Sequence, residues 1–383
     1  MYNLHNHGRM INERVRTGAY EEALRRAVRP GSVVLDIGTG TGIFALLACR
    51  FGARQVYAVE PDDVIQVARE VAAANGFADR INFIQGFSTE ISLPEPVDVI
   101  VCDLRGCLPL LQDNLTAIAD ARQRFLAPGG LLIPQRDTLW TACVSAPVLH
   151  RKITSPWSDN PYSLDMQAIQ RLGANLWWST KVEPEQLLTP AACFRSLDYA
   201  AAELSEPLAE VRLPVTLAGT GHGLAVWFDA HLLEGIGFSN APGQPHIAVY
   251  GQSFFPWPEP VELQAGDVVA ARFRQDLVGG DYLWCWDTRV LRQGDPGRIV
   301  AAFQQSDFLS EPLSLAKIKK QAATHVPALN EQGRIDHTIL RMMAEQVPLG
   351  DIARQLAAEH PDRFPRSQDA QAHVGELSLK YSK

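Results

Sequence analysis

The feature that most constrains this chain is a short apolar run that breaks into glycines. Val33-Val34-Leu35-Asp36-Ile37 leads into Gly38-Thr39-Gly40-Thr41-Gly42, and a helical pattern follows from Ile43 to Phe51. Strand, glycine-rich turn and helix in that order open a parallel β-α-β unit. Glycine has no Cβ, so such a turn can be tight and its backbone can come close to a ligand. The helix behind it offers free N–H groups at its N-terminus. Val56-Tyr57-Ala58-Val59 reads as the next strand, closed by Glu60 and Pro61. Glu60 lies about 20 residues beyond the first glycine, where a carboxylate can accept both ribose hydroxyls. Dinucleotide sites share a loop of this kind. Two details favour S-adenosylmethionine: Asp36 sits inside the strand, and the spacing is D-x-G-x-G-x-G rather than G-x-G-x-x-G.

The surrounding pattern supports a parallel α/β sheet. An amphipathic helix is expected from Ile11 to Val28, ended by Pro30-Gly31, and another from about Asp63 to Asn75. Further strands are expected at Ile81–Ile84, Val97–Val101 and Leu131–Ile133, with a helix from Thr116 to Phe125. Strands alternating with helices at this spacing form doubly wound sheets. After about residue 145 the texture changes. A helical stretch, Ser163 to Leu172, lies among Trp157, Trp177 and Trp178, and short alternating strands run from about Ala192 to Phe308, with a hairpin turn at Gly279-Gly280-Asp281. The expected layout is a Rossmann-like cofactor domain over 1–145 and an antiparallel β-barrel-like substrate domain over 146–312. A linker over 313–330 and a small helical domain over 331–383 follow.

Composition narrows the function. Across 383 residues, 35 Lys and Arg stand against 43 Asp and Glu, a net charge of −8. That balance argues against a nucleic-acid partner and an acidic membrane surface. The six cysteines, Cys49, Cys102, Cys107, Cys143, Cys193 and Cys285, form no metal-spaced cluster and read as small buried apolar residues. No bound metal is expected. With no apolar N-terminal segment and no spanning run, the chain reads as cytoplasmic.

VVLDIGTGTGIFALLACRFGARQVYAVEP, INFIQG, VDVIVCDLRG and FLAPGGLLIPQRDTLW together resemble the class I methyltransferases, and most closely the protein arginine methyltransferases. His7-Gly8-Arg9-Met10 followed by Val15-Arg16-Thr17 is similar to that family's N-terminal helix. The resemblance implies that His7, Met10 and Arg16 lie over the cofactor, with Arg16 on its methionine carboxylate and Met10 near the sulfonium. It implies further cofactor contacts from Asp36, Gly38, Thr39, Gly40, Gly42, Glu60 and Pro61. Ser88 and Thr89 take the adenine side, where the family has a glutamate. The segment 152–180 resembles the family's dimerisation arm, so a homodimer is implied. The resemblance covers about residues 2 to 310.

The acceptor loop departs from the family. Its two guanidinium-binding glutamates correspond here to Asp103 and Gln112, and Arg105 stands where the family has an apolar residue. The family's threonine-histidine-tryptophan segment corresponds to Ala248-Val249-Tyr250, or to a slipped pairing that puts His246 nearby. Asp103, Gln112 and Tyr250 are the expected catalytic residues, with Asp103 also beside the cofactor. A guanidinium is always charged and binds carboxylates in pairs, so losing one carboxylate should weaken a cationic acceptor. The reading is a methyltransferase acting on nitrogen in a peptide or protein side chain. A small-molecule N- or O-methyltransferase and an inactive cofactor-binding scaffold are the alternatives.

Residues 331–383 place Ile335, Ile339, Leu340, Met343, Ile352, Leu356, Val374, Leu377 and Tyr381 at helical intervals, as in a small winged-helix or helix-turn-helix unit. Seven basic residues face eight acidic ones there. That balance argues against DNA reading and leaves peptide docking or packing.

Overall fold

The computed structural model describes residues 4–159, 162–200, 208–245, 249–295 and 298–382. The chain divides into two units, Met1–Pro312 and Leu313–Lys383.

The first unit opens with two helices, α1 (Leu4–Asn12) and α2 (Arg14–Ala27), where the pattern suggested one. Glu13 separates them. Its carboxylate accepts from the N–H groups of Val15 (3.0 Å) and Arg16 (2.6 Å), which caps α2 and fixes where Arg16 begins its turn. Then follow β1 (Val33–Ile37), α3 (Ile43–Arg50), β2 (Gln55–Glu60), α4 (Ile65–Ala74), β3 (Ile81–Gln85), β4 (Val97–Cys102), α5 (Asn114–Phe125) and β5 (Leu126–Ile133). Their parallel sheet has the order β3-β2-β1-β4-β5. All five residues of β1 are buried, as suits a strand covered on both faces. β1 has β2 on one side and β4 on the other, so the order reverses there. A crevice forms outside the carboxyl ends of these two inner strands.

The antiparallel part begins earlier than residue 146. β6 (Arg136–Val144) already pairs with its strands, so the change of sheet falls at 134–135. Helices α6 (Pro147–Ser158) and α7 (Gln167–Gly173) follow, then β7 (Trp178–Thr180), β8 (Ala192–Asp198), β9 (Leu208–Pro214), β10 (Gly219–Leu233), β11 (Ile236–Ser239), β12 (Gln252–Leu263), β13 (Val268–Val278), β14 (Asp281–Leu291) and β15 (Ile299–Ser306). α7 starts four residues later than Ser163 suggested, and α6 had no expected counterpart. One sheet runs β7-β12-β10-β6-β8 with β11 on β10; the other runs β15-β14-β13-β9. They pack through Phe255 of β12 against Phe273, Trp284 and Trp286 of β13 and β14. Gly279 and Gly280, both at positive φ, make the two-residue turn between β13 and β14.

The cysteines are mixed. Cys49, Cys102 and Cys143 are buried as expected, Cys107 and Cys285 are half-buried, and Cys193 is exposed on β8. Burial pushes the Cys102 thiol up, which removes it as a nucleophile.

The second unit holds α8 (Leu315–Gln321), α9 (Glu331–Ala344), α10 (Leu349–Glu359) and α11 (Ser367–Tyr381). Part of the expected linker is thus the short helix α8, which buries nothing. Ile335, Ile339, Met342, Ile352, Leu356, Phe364 and Val374 form a core private to this unit. Leu340 is half-buried and Tyr381 exposed. Among its described residues there is no strand, so the winged form is corrected to three packed helices with α8 ahead of them.

Candidate active site

The site is built where β1, β2 and β4 end. Gly38, Gly40 and Gly42 all take positive φ, the region that disfavours other residues. A Cβ on Gly38 would lie 2.7 Å from the Leu104 side chain, and one on Gly40 would lie 3.0 Å from the His7 ring. The His7 ring thus lies against the glycine loop at Gly40. Glu60 accepts from the Gly40 N–H (2.9 Å) and the Asp62 N–H (3.1 Å), which ties β2 to the loop. Asp36 is fully buried and accepts from the Thr39 hydroxyl (2.5 Å) and the Ala45 N–H (3.0 Å) through one oxygen, Oδ2. Burial pushes its carboxyl up to about 7.

Pro61 is exposed at the start of the turn after β2. Ser88 is buried and its carbonyl accepts from Arg124 (2.7 Å), whereas Thr89 is exposed. Met10 is half-buried. Its carbonyl accepts from Arg16 Nη2 (3.0 Å) and from the Thr17 hydroxyl (2.7 Å).

The centre of the site is a cluster of buried charges around Asp103. Its Oδ2 accepts from Arg16 Nη1 and from the Tyr250 hydroxyl (2.9 Å). Its Oδ1 accepts from Arg105 Nη1 (3.0 Å). The Tyr20 hydroxyl lies 2.9 Å from the Cys102 carbonyl and 3.2 Å from Oδ1, sharing one proton between them. Arg105 is buried. Its Nε and Nη2 donate to Asp137 at 3.1 Å each, and the Tyr199 hydroxyl donates to the same carboxylate at 2.6 Å. The guanidinium lies 5.6 Å from the ring centres of both Phe228 and Phe238. Burial disfavours the cation, but Asp137, Tyr20 and Asp103 more than offset it, so Arg105 holds its proton more tightly than a free arginine. Burial raises Tyr20, Tyr199 and Tyr250 well above the usual phenol range, so all three remain donors. Two cations and two anions leave the cluster neutral.

Gln112 does not join it. It sits at φ 49° on the exposed loop, and its N–H donates to Asp281 (3.0 Å) at the β13–β14 hairpin. No hydrogen bond among the described residues links its side chain to Asp103. Asp113 beside it is exposed as well. Tyr250 does reach Asp103. His246 and Ala248 of the neighbouring segment lie outside the described residues.

Tyr20, Asp137 and Tyr199 escaped the sequence reading. Tyr20 stands four residues after Arg16, on the same face of α2. Asp137 is a charge in a strand whose neighbours are mostly apolar. Neither signal names a partner, because their contacts are long-range.

Two buried polar atoms of the site bear on what it could hold. Arg16 Nε and Asp36 Oδ1 have no hydrogen-bond partner, and such groups are costly to leave unpaired. A ligand carrying an amine and a carboxylate beside a ribosyl group suits this set, with Arg16 facing the carboxylate and Glu60 the ribose.

Comparison with known proteins agrees with this geometry. Residues 18–135 match the family profile "Ribosomal protein L11 methyltransferase (PrmA)", and residues 135–276 match "Arginine methyltransferase oligomerization subdomain". The protein arginine N-methyltransferase PRMT10 of Oryza sativa subsp. japonica is 30% identical over 306 residues, covering 70% of this chain and 80% of the relative. The chain belongs to the protein arginine methyltransferases. An arginine N(omega)-methyltransferase of Streptomyces achromogenes is also 30% identical, over 70% of this chain and 74% of its own length. Among solved structures, the Trypanosoma brucei PRMT1 enzyme–prozyme heterotetrameric complex with AdoHcy is similar at TM-score 0.72 and 25% identity, covering 79% of this chain and 98% of that one. Arabidopsis thaliana protein arginine methyltransferase 10 shares the fold at TM-score 0.69 and 23% identity, covering 80% and 98%. As a protein arginine methyltransferase by family, this chain is an S-adenosylmethionine-dependent enzyme.

Proposed function

We propose that this enzyme methylates a guanidinium nitrogen of an arginine in a protein or peptide, working as a homodimer in the cytoplasm. The observation that carries the reading is the buried carboxylate of Asp103, held at the carboxyl end of β4 beside the glycine loop and Arg16. The names of the relatives point the same way. When bound, the cofactor supplies an electrophilic methyl on a sulfonium. The chain's own residues bind and orient. Glu60 and the glycine loop hold the nucleoside end, and Arg16 holds the carboxylate end. Asp103 Oδ2, steadied by the Tyr250 hydroxyl, would accept an N–H of the acceptor, align that nitrogen with the methyl and take its proton as the nitrogen is methylated. The apolar rings of Phe228 and Phe238 lie against the cluster and keep water from it. Positioning of this kind is a large part of such catalysis.

The dimer rests on exposed apolar side chains between β6 and β8. Tyr162, Leu164 and Trp178 are all exposed, and a second copy would cover them. The deciding experiment uses S-adenosylmethionine labelled on its methyl with host lysate, followed by acid hydrolysis. Methylarginine released from the protein fraction is the expected result. Label confined to small molecules would overturn the protein acceptor and favour the free amino acid.

A further inference from the structure

The cluster is unequal in how its two oxygens are used. Asp103 Oδ2 is held by Arg16, which keeps a buried Nε without a partner, and by Tyr250. Oδ1 is held by Arg105 Nη1, which also donates to the Tyr20 hydroxyl, while Nε and Nη2 of the same guanidinium donate to Asp137. Asp137 grips that guanidinium by two parallel bonds from β6, Tyr199 braces Asp137, and Phe228 and Phe238 lie against it. Arg105 cannot leave without stranding the fully buried Asp137 carboxylate. Arg16 is tied to the Met10 carbonyl and the Thr17 hydroxyl as well, but no second buried carboxylate depends on it.

We propose that Arg105 sets acceptor specificity: by holding Oδ1 of Asp103 it leaves an incoming guanidinium a single carboxylate oxygen. A guanidinium gains most over a neutral nitrogen when it can fork onto both oxygens of an uncompensated carboxylate. Here one oxygen is taken and its charge is matched from within. The site therefore separates arginine from a neutral group of the same shape only weakly, and contacts beyond the guanidinium select the acceptor. This inference rests on the reading that Asp103 faces the acceptor.

The test is calorimetry on the full chain saturated with S-adenosylhomocysteine. The probes are two peptides, Gly-Gly-Arg-Gly-Gly and its citrulline counterpart. The variants are R105Q/D137N, which keeps net charge and can keep a hydrogen bond, and R105M/D137L, which replaces the pair by apolar groups. Whichever variant retains the wild-type circular dichroism and S-adenosylhomocysteine affinity should show an arginine-to-citrulline preference about tenfold above wild type, about 1.4 kcal/mol. A purely structural role for Arg105 would weaken both peptides alike and leave that ratio fixed; an unchanged ratio overturns the inference while the arginine reading stands. Tighter binding of the citrulline peptide than of the arginine peptide by wild type and both variants overturns the arginine reading and this inference together.

Discussion

At the scale of single residues, Asp103 carries the heaviest duty, because two cations lean on it. Asp103→Asn keeps the shape but leaves Arg16 and Arg105 against Asp137 alone. Breaking a buried pair costs about 3–5 kcal/mol, so the variant should melt earlier in calorimetry. It should also transfer methyl at least about tenfold more slowly, about 1.4 kcal/mol of barrier. An unchanged melting temperature would show that the cluster's charges are not coupled. Asp36 yields a prediction with the opposite character. Its carboxyl is at about 7 in the fold against an ordinary 3.8, so the fold binds that proton more tightly than the unfolded chain. Its stabilising contribution is complete below 3.8 and is lost as pH rises through about 7. Asp36→Asn should remove this part of the pH slope, so the melting temperatures of variant and wild type should diverge across that window. Parallel curves would refute it. The sequence made the glycine loop legible through spacing, and Asp103 and Tyr250 through the family resemblance. It could not reveal that Arg105 is locked, because Asp137 and Tyr199 lie 32 and 94 positions away in the sequence and only the fold unites them.

At the scale of elements, helix and strand identity followed from pattern, while boundaries followed from capping. The parallel strands were legible because each is a near-continuous apolar run closed by a turn signal. The break between α1 and α2 was not, since it depends on Glu13 bending back onto Val15 and Arg16. α6 was missed because Pro156 interrupts its periodic pattern. The stretch from α6 to β7 exposes Tyr162, Leu164 and Trp178, more apolar surface than one short segment usually leaves to water. Leu164→Asp combined with Trp178→Asp should yield monomers in sedimentation velocity, with methyl transfer reduced in parallel. A double variant that sediments like wild type would remove this segment from the interface.

At the scale of the whole molecule, 1–312 and 313–383 each own a separate core. The second core is small, and Ile339 lies at its centre with no exposure. Truncating a buried isoleucine to alanine costs about 2–5 kcal/mol, comparable with the entire stability of a unit this size. Ile339→Ala should therefore abolish a low-temperature transition in the full chain's thermogram while leaving the main transition in place. A shift of the main transition by the same amount would mean that the two units unfold together. The helical character of this tail was legible from its periodicity. Its lack of a wing was not, since the pattern of three short helices is common to both forms.

The first helix has a practical consequence for anyone preparing the protein. α1 has no buried residues and rests on the site by His7 against Gly40 and by the Met10 carbonyl on Arg16 and Thr17. A purification tag fused ahead of it would pull on the same few contacts that frame the glycine loop. Tagged and untagged N-termini are therefore not interchangeable reagents for ligand-binding work.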